Sequence, residues 1–381
     1  MSSCINHNMV SSRKPHNIMC KTFVHIFMQY THHLGIDLHK EFGYWTLLDD
    51  EKQVLFKEKI PTKEESVKKA VARLGVLPEQ VQCAIEPVSQ WGWYSDILAD
   101  TGLKVKLVDV TKSKLIAGTK LKNDKVDSRI LAELLRSNYL PEAYLAPKET
   151  RELRELLRWR IFLTRIRARV KNRMTAMIFH HGLICPKCDM FGKSGRKWLE
   201  EQKLSPFHTE ERVSLLKTLD AITPEIERAS VFINEKAESD EVTKILMTIP
   251  GIGAFTAMVM KAEIGTFDRF PCPEKLACFA GLVASSYSSG GKLRFGRITK
   301  HGSPHLRWAM IEATNTVRPS WGHLYDFYHR IKEKKGGKVA RVALARKMLT
   351  LAWILVKKKE PFVAQSFVCG SLGQREAVIS Q

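Results

Sequence analysis

The order of strand-like and helix-like segments between His33 and Ser137 restricts the fold of this chain more than any other feature of its sequence. Three segments with alternating apolar and polar residues come first, LGIDLHK, YWTLLDD and QVLFKEKI, with turn residues between them. Helical and strand patterns then alternate through KEESVKKAVARLG, VQCAIEP, SQWGWYSDILADTG, KVKLVDV and KNDKVDSRILAELLRS. This β-β-β-α-β-α-β-α order predicts an α/β domain in which helices pack on one mixed sheet.

The pattern changes near residue 147, where one long helix is predicted to run to about residue 182. Its apolar residues have the heptad spacing of a coiled coil. They are Leu156, Trp159, Leu163, Ile166, Val170 and Met177, with Arg173 interrupting at a d position. Residues 151–173 carry nine Lys/Arg and two Glu. A solvated charged face explains this excess, and it also indicates contact with phosphate, for which Arg158, Arg165 and Arg169 are the candidates.

The overall charge favours a polyanionic partner. The chain has 61 Lys+Arg against 40 Asp+Glu, a formal net charge of +21. Such a balance indicates nucleic acid ahead of a membrane surface. Eight scattered cysteines indicate reduced thiols in a cytosolic protein, and the one CxxC, Cys185 to Cys188, has no second pair, so a zinc site is the weaker interpretation. No apolar run reaches the ~18 residues of a membrane span, and residues 1–30 do not resemble a signal peptide.

Two motifs stand in the C-terminal part. The segment IPGIGAFTAMVMKAEIGTFDRF has the shape of a helix-hairpin-helix turn, in which backbone N–H groups near Gly251 and Gly253 would hold a phosphate. A plain tight turn between two core helices explains it equally well. The segment SSYSSGGKLRFGRITKHG combines four serines and four basic residues with no acidic residue. It is either a basic hairpin that touches a nucleic-acid backbone or the holder of a nucleophile.

Four acidic residues of the first domain stand where a metal site would need them. Asp37 lies inside an apolar strand, Glu86 ends another, and Asp124 and Asp127 share one face at the start of a helix. A carboxylate in an apolar strand is costly unless it is paired or bound to a cation. Two unit charges 4 Å apart repel by about 4 kcal/mol at an effective dielectric of 20. Convergence of these groups therefore predicts bound Mg²⁺ or Mn²⁺, a pair of which can promote phosphoryl transfer.

Each carboxylate also has a structural explanation. Asp37 could form a strand-end turn, and Glu86 could pair with a lysine. Asp124 could cap the helix, with Asp127 in its favourable first turn. Taken singly these explanations are preferable, but the joint pattern of strand Asp, strand Glu and helical Asp-x-x-Asp favours the metal site.

These residues carry a resemblance to a known family. The first domain resembles the RuvC/RNase H-like fold with a D-E-D-D set. The stretch from IPGIGAFTAMVM to KHGSPHLRWAMIEA is similar to the transposase domain of the IS110 insertion-sequence group. The resemblance spans roughly residues 33 to 358. It implies three parts: a RuvC-like domain, a long basic coiled-coil linker, and a mainly α-helical transposase domain.

The resemblance implies a site-specific DNA recombinase of a mobile element. In the family a serine attacks a DNA phosphate and forms a covalent phosphoserine link while Mg²⁺ polarises the phosphate. A structured guide (bridge) RNA recognises donor and target DNA, and RuvC-like domains are supplied across an oligomer, typically a tetramer. The implied location is a bacterial-type cytoplasm, in association with the nucleoid.

The family positions transfer residue by residue. Asp37, Glu86, Asp124 and Asp127 match the metal set, and Ser289 before Gly290 matches the serine. The neighbouring serines 285, 286 and 288 remain alternatives. The basic residues that would hold the scissile strand are Lys292, Arg294, Arg297 and Lys300. The segment PVSQWGWY after Glu86 departs from the ATG often seen in the group.

The expected domains are an unplaced extension at 1–30, the RuvC-like domain at 31–146, the helical linker at 147–240, the transposase domain at 241–358 and a tail at 359–381. Two other functions are compatible with the sequence. One is a RuvC-like junction-resolving nuclease that uses metal-activated water, with Ser289 only contacting DNA. The other is a catalytically inactive nucleic-acid-binding relative whose carboxylates are structural.

Overall fold

The structure is a computed structural model that describes residues 30–110, 112–113, 124–289 and 292–363. The chain divides into two compact units, one ending at Leu145 and the other beginning at Ala146. The predicted extension up to residue 29, and the predicted tail from residue 364, lie outside the described residues. The predicted linker and transposase domain belong to one unit, and their boundary at 240 stays a prediction.

The first unit is built on a six-stranded sheet with the order β3-β2-β1-β4-β5-β6. The strands are β1 His32–Leu38, β2 Phe42–Asp49, β3 Val54–Pro61, β4 Val81–Ile85, β5 Lys104–Val108 and β6 Glu142–Ala143. β1, β4 and β5 are mutually parallel, whereas the β1–β2, β2–β3 and β5–β6 pairs are antiparallel. The predicted mixed sheet is confirmed. The two-residue strand β6 was not predicted from the pattern.

Helices pack on both faces of this sheet. They are α1 Glu64–Ala72, α2 Trp91–Asp100 and α3 Asp124–Arg136. Because side chains alternate along a strand, Leu34, Ile36 and Leu38 enter the core shared with α1 and α2. A smaller apolar cluster on the α3 face contains Ala84, Val108, Leu131 and Leu135.

Helix α3 crosses β1 at very close range. A Cβ atom on Gly35 would lie 1.9 Å from the Ser128 carbonyl oxygen, so this approach requires glycine. The Arg136 Nη1 atom, at the end of α3, donates to the Asp50 carbonyl oxygen at 3.1 Å. Asp50 follows the residue that pairs with His32 at the start of β1. Helix α3 therefore runs antiparallel to β1, and its first turn lies toward the carboxyl end of that strand.

The second unit is mainly helical, as predicted. Its elements are α4 Lys148–His180, α5 Lys193–Glu201, α6 Pro206–Glu238, α7 Glu241–Met247, α8 Ala254–Ile264, α9 Pro273–Phe279, β7 Ala284–Ser289, β8 Lys292–Ile298, α10 Pro304–Ala313, α11 His323–Lys335 and α12 Gly337–Lys358. Its largest core gathers around α12, where Leu344, Met348 and Leu349 are fully buried. Over the described ranges, the helices are all too short or too polar to cross a bilayer.

The stripe of α4 that packs inside the chain differs from the predicted heptad stripe. Its buried residues are Leu157, Ile161, Met174, Met177 and Ile178, of which only Met177 belongs to the predicted set. The predicted member Trp159 is 40% exposed. Apolar residues lie on two adjoining stripes of α4, and contact with α6 and α8 selects the one that is buried. The residues that pack α4 against the rest of its unit are therefore mostly not those of the predicted heptad stripe.

Candidate active site

Asp37 and Glu86 lie at the carboxyl ends of neighbouring parallel strands. The register pairs β1 with β4 up to Ile36 and Ile85, so the two acidic residues occupy the next position of each chain. Paired strands are about 4.8 Å apart. Alternation assigns both positions to the face of Gly35 and Ala84, which α3 covers. Asp37 is 8% exposed and Glu86 is half-buried.

The first turn of α3 comes to the same corner of the unit. Asp127 precedes Leu131, which packs on the sheet, by one helical turn, so it lies on the sheet-facing side of α3. Helix α3 begins at Asp124, whose side chain lies outside the described set. Among the side chains that the structure does describe, no group of three or more His, Cys, Asp or Glu could hold a metal ion. The four-carboxylate metal set stays a prediction.

The donor chemistry of this corner fits a hard divalent cation, because carboxylate oxygens are the ligands that Mg²⁺ and Mn²⁺ prefer. Burial strengthens the repulsion between the negative charges of two neighbouring carboxylates. A bound cation would offset that repulsion. Asp37, Glu86 and Asp127 are the described residues that would supply these oxygens.

Two residues near Asp37 were missed in the sequence. The His39 Nε2 atom lies 3.2 Å from Asp37 Oδ2, a hydrogen bond that orients this carboxylate. The Gln90 Nε2 atom donates to the carbonyl oxygens of His39 at 2.7 Å and Lys40 at 3.1 Å. Gln90 belongs to the segment after Glu86 that departs from the family pattern, and it ties that segment to the turn after β1. In the sequence, the one indication of the His39 contact was that His39 follows Asp37 by two residues, and nothing pointed to Gln90.

The basic serine-rich segment forms an antiparallel hairpin of β7 and β8. The register pairs Tyr287 with Arg294 and Ser289 with Lys292, whereas Ser288 pairs with Leu293. By strand alternation, positions 287, 289, 292 and 294 belong to one face, and positions 286, 288, 293 and 295 belong to the other. The side chains of residues 289, 292 and 293, and all of Gly290, lie outside the described set. Position 289 therefore lies on the same face of the hairpin as Arg294, and position 288 lies on the opposite face.

The remaining serines and basic residues of the hairpin have distinct environments. The Ser285 hydroxyl donates to the Arg297 carbonyl oxygen at 3.1 Å, next to an irregularity in the strand register. Arg294 and Arg297 are exposed and have no acidic partner among the residues that the structure describes. Their guanidinium groups are thus available to phosphate.

The base of the hairpin is held firmly. Arg307 Nη1 donates to the carbonyl oxygens of Ala280 and Lys300, both at 3.1 Å. Gly281 has a φ of +65°, and a Cβ atom there would lie 2.4 Å from the His301 carbonyl oxygen. Only glycine fits this close crossing. The two exposed strands therefore project from a fixed base.

A buried carboxylate connects the basic helix α4 to the segment that follows the hairpin. Glu263 accepts hydrogen bonds from Arg158 Nη2 and from the Ser303 hydroxyl, each at 3.0 Å. Ser303 also caps α10 by accepting from the Leu306 N–H at 3.1 Å. Burial lowers the pKa of nearby His305, and Arg158 lowers it further while Glu263 opposes the shift. Arg158 is exposed like Arg165 and Arg169, but its guanidinium is paired with the buried Glu263.

Glu263→Ala is expected to destabilise the second unit by about 1–3 kcal/mol, because it leaves the buried Ser303 hydroxyl without its acceptor. Glu263→Gln, which keeps the shape and one acceptor oxygen, should cost less. Urea unfolding measures both changes. The matched control is Glu225→Ala, which removes an exposed i,i+3 pair with Arg228 and should leave stability nearly unchanged. Equal effects at the two positions would contradict the role of Glu263.

The turn between α7 and α8 has a packing explanation for one of its glycines. Gly251 has a φ of +82°, and a Cβ atom there would lie 2.4 Å from Trp321 Cη2. Gly253 precedes α8 as its N-cap, and no side chain caps this helix end. Both glycines are exposed. Close packing accounts for Gly251, while phosphate binding at the uncapped start of α8 stays a prediction.

Comparison with known proteins gives two family matches. The family described as "Transposase IS116/IS110/IS902 family" matches residues 243–329. A second family, described as "Transposase" and carrying DEDD and IS110 in its name, matches residues 34–180. The first match lies within the second unit and contains the hairpin, whereas the second covers the four acidic positions of the first unit and extends through α4.

Individual relatives agree with these matches. The transposase of insertion sequence element IS1111A from Coxiella burnetii is 23% identical over 346 residues, 86% of this chain and 90% of the relative. The transposase of element IS1328 from Yersinia enterocolitica is 24% identical over 63% of this chain and 73% of its own length. The pilin gene-inverting protein of Moraxella bovis is 30% identical over 38% of this chain and 45% of its own length.

Proposed function

The chain belongs to the IS110 group of transposases, and from that premise we propose that it is an RNA-guided, Mg²⁺-dependent DNA recombinase that acts through a covalent serine–phosphate intermediate. The observation that carries the proposal is the position of Asp37 and Glu86 on neighbouring parallel strands, beside the first turn of α3. Carboxylates at the carboxyl ends of two central strands are costly to bury and add nothing to apolar packing, so packing alone does not explain them.

The chemistry divides between the two units. Ser289 Oγ loses its proton and forms a bond to a DNA phosphorus atom as a bridging P–O bond breaks, and the departing DNA oxygen takes up a proton and leaves as a hydroxyl. Attack by another DNA hydroxyl on the phosphoserine reverses these bond changes and rejoins DNA. Arg294 and Arg297 hold the scissile strand and offset charge on the phosphate. Asp37, Glu86, Asp124 and Asp127 would hold the metal, which supplies polarisation of the phosphate and activation of the hydroxyl.

Nucleic acid and a second copy of the chain are the proposed partners. The net charge of +21 and the exposed Arg165 and Arg169 support binding of donor DNA, target DNA and a structured guide RNA. The incompletely buried residues of the predicted heptad stripe support assembly into an oligomer, proposed to be a tetramer. They are Trp159, Leu163 and Ile166. In such an assembly, the carboxylates of one copy serve the serine of another.

The experiment that tests the function is trapping of a covalent intermediate on a DNA duplex that carries the element junction, with guide RNA and Mg²⁺. We expect a protein–DNA adduct that survives denaturation, requires Mg²⁺ and is lost in chelator. Strand cleavage without any adduct would favour the nuclease that uses metal-activated water. Salt-sensitive binding without strand breakage would favour the inactive relative.

A further inference from the structure

Two aromatic rings stand exposed on the β7–β8 hairpin. Tyr287 is 68% exposed and Phe295 is 61% exposed. The strand register assigns them to opposite faces, because Tyr287 pairs with Arg294 whereas Phe295 pairs with Ser286. The two rings therefore do not form one continuous apolar patch of the kind that docks a protein partner.

The surroundings of Tyr287 leave its ring available. A Cβ atom on Gly296 would lie 3.4 Å from Tyr287 Cε2, so the edge of the ring stands beside Gly296 of the opposite strand. Tyr287 makes no hydrogen bond or ring contact with any other residue that the structure describes. Across the hairpin stands the exposed guanidinium of Arg294. A solvent-facing aromatic ring beside a basic group is suited to a ligand that carries both a π-face and a negative charge.

Spacing relates Tyr287 to the proposed nucleophile. Positions 287 and 289 share a face and lie two residues apart, about 6.6–6.8 Å along the strand. Phosphates of one DNA strand follow each other by roughly 3.4 Å along the helix axis. A base that contacts Tyr287 is therefore within about two nucleotides of a phosphate held at position 289.

We propose that Tyr287 stacks on an unpaired nucleic-acid base next to the phosphate that the hairpin holds. This inference rests on the proposed function, since it requires that the basic hairpin binds a nucleic-acid strand. Stacking on Tyr287 orients the strand through a base, while Arg294 contacts its backbone. Because every base has a π-face, the contact positions the strand without selecting its sequence. Tyr287 is thus a strand-positioning residue rather than a nucleophile or base.

The test compares two single-stranded oligonucleotides of equal charge with the full-length protein. One contains 2-aminopurine among ordinary bases, and the other is abasic over the same central positions. We expect about tenfold tighter binding of the base-bearing strand, within the range for one stacked base, together with quenching of the 2-aminopurine fluorescence. Tyr287→Ala should reduce that preference to about onefold and abolish the quenching. Tyr287→Phe should preserve both.

Phe295→Ala is the matched control, because it removes an exposed ring of similar size from the opposite face of the same hairpin. It should leave the preference for bases intact. Equal binding of the two strands by the unmodified protein, an unchanged preference in Tyr287→Ala, or the same loss in Phe295→Ala would overturn the proposal. The recombinase proposal can fail independently of this one, because base-dependent binding is measured without strand cleavage. Conversely, adduct formation without a preference for bases would overturn only the role of Tyr287.

Discussion

Ser289→Ala is expected to abolish the covalent protein–DNA adduct and to reduce strand transfer by at least about a thousandfold, since no other group can replace an absent nucleophile. The hairpin register distinguishes Ser289 from its neighbour Ser288. Position 289 shares a face with Arg294, whereas position 288 belongs to the other face. Adduct yield on denaturing gels and the rate of strand transfer measure the effect.

The control is Ser288→Ala, the same chemical change one residue away. It should retain the adduct and most of the strand-transfer activity. Salt-dependent DNA binding should be similar in both variants, because Arg294 and Arg297 are unchanged. Loss of the adduct in Ser288→Ala with retention in Ser289→Ala would transfer the nucleophile to Ser288. Retention in both would refute a serine at either position.

Asp37→Asn is expected to lower strand transfer by about a thousandfold, because a lost metal contact costs several kcal/mol of transition-state stabilisation. It should leave DNA binding largely intact. In the unmodified protein, a divalent ion at a hundred times its dissociation constant should stabilise the fold by about 2.7 kcal/mol. That stabilisation should disappear in the variant. Thermal unfolding with and without Mg²⁺ or Mn²⁺ therefore reports on the site independently of catalysis.

Asp50→Asn provides the control for Asp37→Asn. Asp50 contacts His33 at 2.9 Å, at the opposite end of β1, and its side chain is about half exposed. The same carboxylate-to-amide change there should preserve both the metal-dependent stabilisation and strand transfer. An Asp37→Asn variant that unfolds in the absence of metal would instead assign the carboxylate a structural role.

Much of the first unit could be predicted because its signals are local. The alternation around Asp37 and Glu86 fixes two strands, and the apolar periodicity of residues 122–137 fixes α3. These patterns depend only on the period of each element. By contrast, the antiparallel direction of α3 relative to β1 depends on contacts such as Gly35 with Ser128, which are distant in sequence.

In the second unit, local sequence patterns did not predict which residues of a helix are buried or which partners they contact. Helix α4 has two adjoining apolar stripes, and its sequence contains no reason to choose Leu157 and Ile161 over Trp159 and Leu163 as the buried residues. The packing of α6 and α8 made that choice. Similarly, Arg158 belonged to a basic run in the sequence, but the buried Glu263 that engages it lies more than a hundred residues away.

The sequence by itself determined the element order, the basic character of the chain and the identity of the acidic and serine-containing motifs, because composition and periodicity are properties of short stretches. Tertiary structure alone decided which motifs share a corner or a face. Parallel pairing of β1 with β4 aligned Asp37 with Glu86, and antiparallel pairing of β7 with β8 placed position 289 on the same face as Arg294. Strand register is fixed by long-range packing, and a shift of one residue would break both alignments.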